Sequence, residues 1–274
     1  MKIGIIGYGS MGRMLLEKFI GTKTVEQSNL YVSNRTHEKI ARLNNIYPEV
    51  HVCNDNISAA QNADMLFVCV KTLEMKAVLL EINKTAKENC HIVTMNGSVL
   101  LDQMGQICAN RKITRIIPTV TAEVNQAITL VCHNDYVSRD DKNAIKRLME
   151  CFGTVTELPE AEISMCAELT SCMPGFIGAM FKVVAVEARK HTAIGEPQII
   201  QMVTQTLYGT AKLLLEKQMT FDALISRVAT KGGITEEGAK IIAEKLPATV
   251  NELFEKTLEK RRITTEQAQN DFGK

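Results

Sequence analysis

The chain has 274 residues, of which 45% are hydrophobic and 23% charged, and its formal net charge at pH 7 is +1. This length suits two domains, and the small charge argues against a nucleic-acid partner or an anionic membrane surface. The one basic run, residues 260–262, is interpreted as a solvated helix end rather than a nucleic-acid patch. The longest apolar stretch is taken to be residues 65–70, far short of the roughly 20 residues that span a bilayer, and no targeting segment is expected.

The eight cysteines contain no Cys-x-x-Cys pair and are too sparse for a disulfide scaffold. Several lie in apolar runs, as Cys69 does. We therefore expect reduced, buried thiols in a cytoplasmic protein, and no metal site.

Residues 1–160 alternate short apolar runs with segments of helical spacing. Strands are predicted over residues 2–6, 30–32, 50–53, 64–70, 91–95, 114–117 and 128–132, and helices over residues 11–19, 37–43 and 73–82. Continuous apolar strands separated by helices are typical of a mostly parallel sheet covered on both faces. The pattern predicts an α/β fold with a doubly wound Rossmann sheet.

From residue 160 onward the sequence predicts only helices. These span residues 180–190, 198–217, 235–245 and 247–260, with Pro197 and Pro247 each placed at a helix start. The change of pattern predicts an N-terminal cofactor domain over residues 1–160 and an all-helical C-terminal domain over residues 161–274, for substrate binding or assembly.

The segment from Gly7 through Gly9, Ser10 and Met11 to Gly12 matches Gly-x-Gly-x-x-Gly. It follows a predicted strand directly and opens a helix, which is the context that makes this otherwise weak pattern informative. The three glycines permit a tight turn, close approach of a pyrophosphate, and close packing of helix on strand. We predict a dinucleotide site here, the alternative being a purely structural turn.

The end of the second strand bears on which dinucleotide binds. Ser33, Asn34, Arg35 and Thr36 stand where NAD-binding folds usually carry Asp or Glu. Without a carboxylate there, Arg35 and the hydroxyls can donate to a 2′-phosphate. The sequence favours NADP over NAD, with Arg35 as a solvated loop cation the alternative.

Two further strand ends are predicted to contact the cofactor. Val70 and Lys71 end the fourth predicted strand, and Asn96 and Gly97 end the fifth. Ligands of such sheets bind at the carboxyl ends of the strands. A catalytic role for Lys71 is the less favoured alternative.

A second glycine pair, Gly232 and Gly233, precedes the predicted helix that begins at Thr235. Adjacent glycines flanked by threonines can form an anion-binding nest of backbone amides. An ordinary helix–helix turn with Thr235 as the cap is the alternative.

Taken in order, five segments resemble the pyrroline-5-carboxylate reductase family over nearly the whole chain. They are Ser-Met-Gly at residues 10–12, Val-Lys at 70–71, Arg-Ile-Ile-Pro at 115–118, the Gln-Thr-Leu-Tyr-Gly-Thr-Ala segment at 205–211, and Lys-Gly-Gly-Ile-Thr at 231–235. Departures lie at residues 118–121, at residues 169–176, and at Lys231, which replaces a proline. These departures look closest to the family's divergent late-competence (ComER-type) branch.

The resemblance implies an NADPH-dependent oxidoreductase of proline biosynthesis that reduces pyrroline-5-carboxylate to L-proline. It implies that Thr230, Gly232, Gly233 and Ile234 bind the substrate carboxylate, and that Thr235 also hydrogen-bonds the imine nitrogen as the catalytic residue. It also implies a cytoplasmic homodimer or higher oligomer formed through the helical domain.

Two alternatives remain open at this point. A reductase-like protein that has lost turnover and serves a regulatory, competence-related role is motivated by the altered segments. A β-hydroxyacid dehydrogenase would need Lys182 as its catalytic lysine, but Val186 occupies the next-turn position where that class has Asn.

Overall fold

The computed structural model describes residues 1–273. Its core is an eight-stranded sheet in the order β3-β2-β1-β4-β5-β6-β7-β8. The strands are β1 Ile3–Ile6, β2 Leu30–Ser33, β3 His51–Val52, β4 Met65–Val68, β5 His91–Thr94, β6 Ile113–Ile117, β7 Ala127–His133 and β8 Gly153–Glu157. All neighbours pair in parallel except β6 and β7. The predicted mostly parallel α/β sheet is confirmed.

Alternating side chains of the central strands pack into two separate hydrophobic cores, one on each face of the sheet. In β4, Leu66 and Val68 belong to one cluster, whereas Met65 and Phe67 belong to the other. Because both faces are covered, β4 is apolar at every position rather than at every second one.

Eleven α-helices accompany the strands in the described residues. They are α1 Ser10–Gly21, α2 Leu43–Ile46, α3 Asn56–Asn62, α4 Thr72–Asn83, α5 Leu101–Ile107, α6 Arg139–Met149, α7 Ile163–Ala167, α8 Met173–Ala188, α9 Glu196–Glu216, α10 Phe221–Val228 and α11 Ile234–Phe272. No strand follows β8 as far as Gly273, which confirms the helical C-terminal region.

The chain forms two compact units. The first contains Met1–Cys172 together with the C-terminal segment that begins at Leu258, and the second is Met173–Thr257. Ala268 and Phe272, near the end of α11, are buried in one of the sheet's two cores. The functional division into residues 1–160 and 161–274 stays a prediction.

Several predicted elements differ from the observed ones. Residues 37–43 do not form one helix but a 3-10 turn, His37–Lys39, followed by the short α2. Pro247 does not start a helix, because it lies inside α11. A proline in a helix interior removes one backbone hydrogen bond, and an exposed, 39-residue helix tolerates that loss. Strand β8 and helices α3, α5, α6 and α10 were not predicted.

The longest apolar segment is not residues 65–70. The helical run Glu160–His191 is long and apolar enough to cross a membrane by length and composition alone, and an 18-residue window within it has a mean hydropathy of 1.6. Among residues 1–273, no group of three or more His, Cys, Asp or Glu side chains is placed to hold a metal ion. All eight cysteines are free thiols.

Candidate dinucleotide site and glycine loop

Each glycine of the first turn has a distinct geometric role. Gly7 has a φ of +96°, and a Cβ on Gly12 would lie 1.9 Å from the Gly7 carbonyl oxygen, so neither position accepts a side chain. A Cβ on Gly9 would meet no atom within 4 Å. Gly9 precedes α1, whose N-terminal amides have no side-chain cap. The turn therefore leaves open, at a helix N-terminus, the space that a pyrophosphate requires.

A cleft of about 660 Å³ opens beside this turn, at the carboxyl ends of β1, β2 and β4. Seven of the predicted cofactor residues line it, namely Gly7, Gly9, Asn34, Arg35, Thr36, Val70 and Lys71. Ser10, the first residue of α1, lies on the adjoining surface. A groove of this size, with an open glycine and a free helix N-terminus, fits a dinucleotide.

The end of β2 is tied to the glycine turn by two hydrogen bonds. The Gly7 amide donates to the Ser33 carbonyl over 2.9 Å, and the Tyr8 amide donates to Asn34 Oδ1 over 2.8 Å. The Ser33 hydroxyl is buried and donates to Asn56 Oδ1. Ser33 and Asn34 therefore hold the loop in place, whereas Arg35 and Thr36 line the cleft.

Arg35 has an acidic partner that the sequence analysis missed. Its Nη1 atom lies 2.6 Å from Glu74 Oε1, on the first turn of α4. Lys39 and Glu81 also line the cleft and were not predicted. The spacing of Glu74 and Glu81, two helical turns apart on one face of α4, is the sequence signal that could have found the two carboxylates.

The loop after β5 is rigidly held by its own side chain. Asn96 Oδ1 accepts hydrogen bonds from the amides of Ser98 and Val99, and Asn96 Nδ2 donates to the Thr72 hydroxyl. Asn96 is buried, so its part in the site is to shape the loop.

Gly97 is held by a buried arginine that the sequence analysis quoted only as a motif residue. Arg115, 2% exposed, donates from Nη2 to the Gly97 carbonyl oxygen over 3.0 Å and pairs through Nη1 with Glu160. The same Glu160 oxygen accepts from the Leu101 amide over 2.9 Å. This network fixes the loop against β6.

The second glycine pair lies between α10 and α11, in the second unit. Gly232 has a φ of +73°, and a Cβ on Gly233 would lie 2.5 Å from the Thr230 hydroxyl oxygen. The Gly233 amide donates to the Thr230 carbonyl over 2.8 Å, and the Gly232 amide donates to the Glu236 carboxylate over 2.5 Å. Two amides of the glycine loop, those of Gly232 and Gly233, are therefore already bonded within the chain. Ile234 and Thr235 lie at the N-terminus of α11.

Two family models match the chain. The model described as "NADP oxidoreductase coenzyme F420-dependent" matches residues 2–97, and that described as "Pyrroline-5-carboxylate reductase dimerisation" matches residues 160–263. Pyrroline-5-carboxylate reductase 3 of Bacillus subtilis is 33% identical over 97% of both chains. The chain belongs to the pyrroline-5-carboxylate reductase family. Members of this family are NAD(P)-dependent oxidoreductases that act on CH–NH groups.

Two further comparisons show a similar sequence and a similar fold. The ComE operon protein 4 of Bacillus subtilis is 27% identical over 94% of both chains. A Plasmodium falciparum pyrroline carboxylate reductase solved with NADP bound shares the fold, with a TM-score of 0.84, 18% identity, and coverage of 96% of this chain and 98% of that one.

The segments that depart from the reductase pattern have identifiable local structure. Thr119 is buried, and its hydroxyl group forms a hydrogen bond with the Thr121 hydroxyl. The Thr121 hydroxyl also donates to the Gln126 carbonyl oxygen. In the other segment, Glu168–Cys172 forms a π-helical turn in which Thr170 donates to the carbonyl of Cys166. Such turns often occur at functional sites.

The basic run at residues 260–262 was expected to be a solvated helix end, but one of its side chains is largely buried. Arg261 is 16% exposed at its side chain and donates from Nε and Nη2 to Glu168 Oε1. Glu168 is 1% exposed, so this ion pair ties α11 to the π-helical turn within the first unit.

Proposed function

We propose that this reductase-family chain converts pyrroline-5-carboxylate to L-proline with NADPH, in the cytoplasm. The observation that carries the proposal is its 33% identity, over 97% of both chains, to pyrroline-5-carboxylate reductase 3. The open Gly9 and the cleft beside it support cofactor binding, and the matched dimerisation model supports a homo-oligomer.

In this proposal the first turn holds the pyrophosphate and the end of β2 selects the nucleotide. The amides of Ser10 and Met11 at the start of α1 would donate to the phosphate oxygens, and Gly12 keeps the helix close to β1. Arg35 and Thr36 would donate to a 2′-phosphate, which favours NADPH over NADH. Val70 and Lys71 line the same cleft, and the Asn96–Gly97 peptide shapes the loop after β5.

The glycine loop would bind the substrate carboxylate. Because Gly232 and Gly233 use their amides internally, their contribution is the backbone shape, and the free donors are the Thr230 hydroxyl and the amides of Ile234 and Thr235. Thr235 would hydrogen-bond the imine nitrogen and hold the developing amine. A cyclic imine is basic and can arrive protonated, so these residues need only bind and orient it. When bound, NADPH supplies the hydride that adds to the C=N carbon.

The two halves of the chain would divide this work. Residues 1–160 would bind NADP, and residues 161–274 would bind the substrate and form the dimer. Exposed apolar side chains on the second unit's helices, among them Val183 and Ile242, support the assembly role.

A two-part assay tests the proposal. NADPH binding is followed by fluorescence of the purified protein, and turnover by loss of nicotinamide absorbance with pyrroline-5-carboxylate. We expect both binding and oxidation. If NADPH is oxidised no faster with the protein than in a buffer blank, the proposal is contradicted.

A regulatory role without turnover is the second candidate. It is favoured by the 27% identity to ComE operon protein 4 and by the altered segments at residues 118–121 and 169–176. Binding of NADPH without oxidation in the same assay would support it, and oxidation at rates typical of enzymes would exclude it.

A further inference from the structure

The ion pair between Arg35 and Glu74 joins two elements that border the dinucleotide cleft. Arg35 lies just after β2, and Glu74 lies on the first turn of α4. Their side chains meet at 2.6 Å, with 83% of the Arg35 side chain and 34% of the Glu74 side chain exposed. The guanidinium proposed to receive a 2′-phosphate is therefore held by a carboxylate of the same chain.

Glu74 is well placed to stay in position. It lies in the first turn of α4, where the partial positive charge of the helix N-terminus stabilises a carboxylate. Arg35, by contrast, extends from a loop, and most of its side chain is exposed. A ligand that needs Arg35 must therefore draw it away from a stationary anion.

We propose that Glu74 is a specificity-determining residue that competes with the 2′-phosphate of NADP for Arg35. NADPH binds only after exchange of the Arg35–Glu74 pair for an Arg35–phosphate pair, whereas NADH leaves the pair intact. Glu74 thus weakens the preference for NADPH that Arg35 alone confers. This inference rests on the proposed function in one respect, the assignment of Arg35 to the 2′-phosphate.

The same cleft provides a matched control. Glu81 lies two turns further along α4 and lines the cleft, but its carboxylate accepts from Asn56 Nδ2 over 2.8 Å. Substituting Glu81 removes one negative charge from the same cleft without releasing Arg35. This control variant therefore separates the effect of removing a negative charge from the cleft from the effect of breaking the Arg35–Glu74 ion pair.

The experiment measures dissociation constants of NADPH and NADH by nicotinamide fluorescence, for the full chain and for Glu74→Gln, Glu81→Gln, Arg35→Ala and the double variant Arg35→Ala with Glu74→Gln. An exposed ion pair is worth enough to change affinity about two- to fivefold. We expect Glu74→Gln to tighten NADPH by that factor and to leave NADH unchanged. Adenosine 2′,5′-bisphosphate and AMP, compared by calorimetry, should repeat the difference without the nicotinamide.

Three outcomes decide the matter. The inference is supported if the Glu74 effect appears, is absent in Glu81→Gln, and disappears in the Arg35→Ala background. It is overturned if Arg35→Ala weakens NADPH while Glu74→Gln changes neither nucleotide, or if Glu81→Gln has an equal effect. If Arg35→Ala changes the dissociation constant of neither nucleotide, the assignment of Arg35 to the 2′-phosphate in the proposed function fails as well. All of these measurements are of binding, so none depends on turnover.

Discussion

At the scale of single residues, Thr235 is the side chain on which the proposed chemistry depends most. We expect Thr235→Ala to lower kcat/KM for pyrroline-5-carboxylate at least about tenfold, because one hydrogen bond to a charged group is lost. Thr249→Ala, an exposed change on the same helix α11, is the matched control. Steady-state kinetics that are equal in both variants would remove Thr235 from the catalytic site.

The first turn allows a paired test of two glycines. Gly9→Ala should leave thermal stability unchanged, because its Cβ meets no atom within 4 Å and its φ is −85°, yet weaken NADPH binding by occupying the pyrophosphate space. Gly12→Ala should lower the melting temperature as well, because its Cβ would lie 1.9 Å from the Gly7 oxygen. Scanning calorimetry and fluorescence titration measure the two effects. Equal melting temperatures for the two variants would contradict the assigned roles.

What the sequence reveals at this scale follows from how local the signal is. The roles of Gly7, Gly9 and Gly12 come from a contiguous turn and were predictable. Arg35 was predictable as a cation near β2, but its pairing with Glu74 depends on two elements that are 39 residues apart in the chain. No local pattern encodes that contact.

At the scale of elements, a chain of polar side chains links three neighbouring strands of the sheet. His91 on β5, Thr114 on β6 and His133 on β7 are linked through the Thr114 hydroxyl by two contacts of 2.7 Å. Burial lowers the pKa of His91 from 6.5 to about 4, and burial also lowers the pKa of His133. Both imidazoles are therefore neutral in the folded protein near pH 7.

This burial predicts the pH dependence of stability. Between pH 6.5 and about 4 the unfolded chain binds a proton at His91 that the folded chain does not, so stability falls as pH falls through that window. The loss from His91 is at most about 3 kcal/mol. Urea unfolding at several pH values measures it, with His91→Gln expected to flatten the slope and the exposed His191→Gln to leave it unchanged. A slope that His91→Gln does not alter would count against this role.

The predicted elements were most accurate where burial is continuous. Strands β1, β4 and β5 are buried at every position, and they were predicted to within a few residues of their observed bounds. Helix α6 was missed although Ser138 and Asp141 form a capping box at its start, a signal that the sequence contains. Pro247 was wrongly predicted to start a helix, because its position within α11 depends on the helix around it and not on the proline itself.

At the scale of the whole molecule, apolar side chains on the second unit are exposed in the single chain. They include Met180, Val183, Val184, Val186, Ile241 and Ile242. Burial of such side chains against another copy is favourable, so light scattering of the full chain should give at least twice its mass of 30.4 kDa. Val183→Asp should reduce that mass if α8 lies in the interface. A monomer at micromolar concentration would contradict the assembly proposal.

The change from strands and helices to helices alone near residue 160 was predictable from the sequence pattern, since β8 ends at Glu157. The return of the chain's end to the first unit was not. Only two side chains of this last segment, Ala268 and Phe272, join the core of the sheet. The other members of that core lie more than 100 residues earlier in the sequence.

That return has a consequence for how the protein is made. Synthesis runs from the N-terminus, so the ribosome has completed every strand of the sheet before it adds Arg261, Ala268 or Phe272. Until those residues emerge, Glu168 lacks its arginine and one core of the sheet lacks its last two members. The first unit therefore reaches its final packing only after these residues have been added, long after its glycine turn has been synthesised.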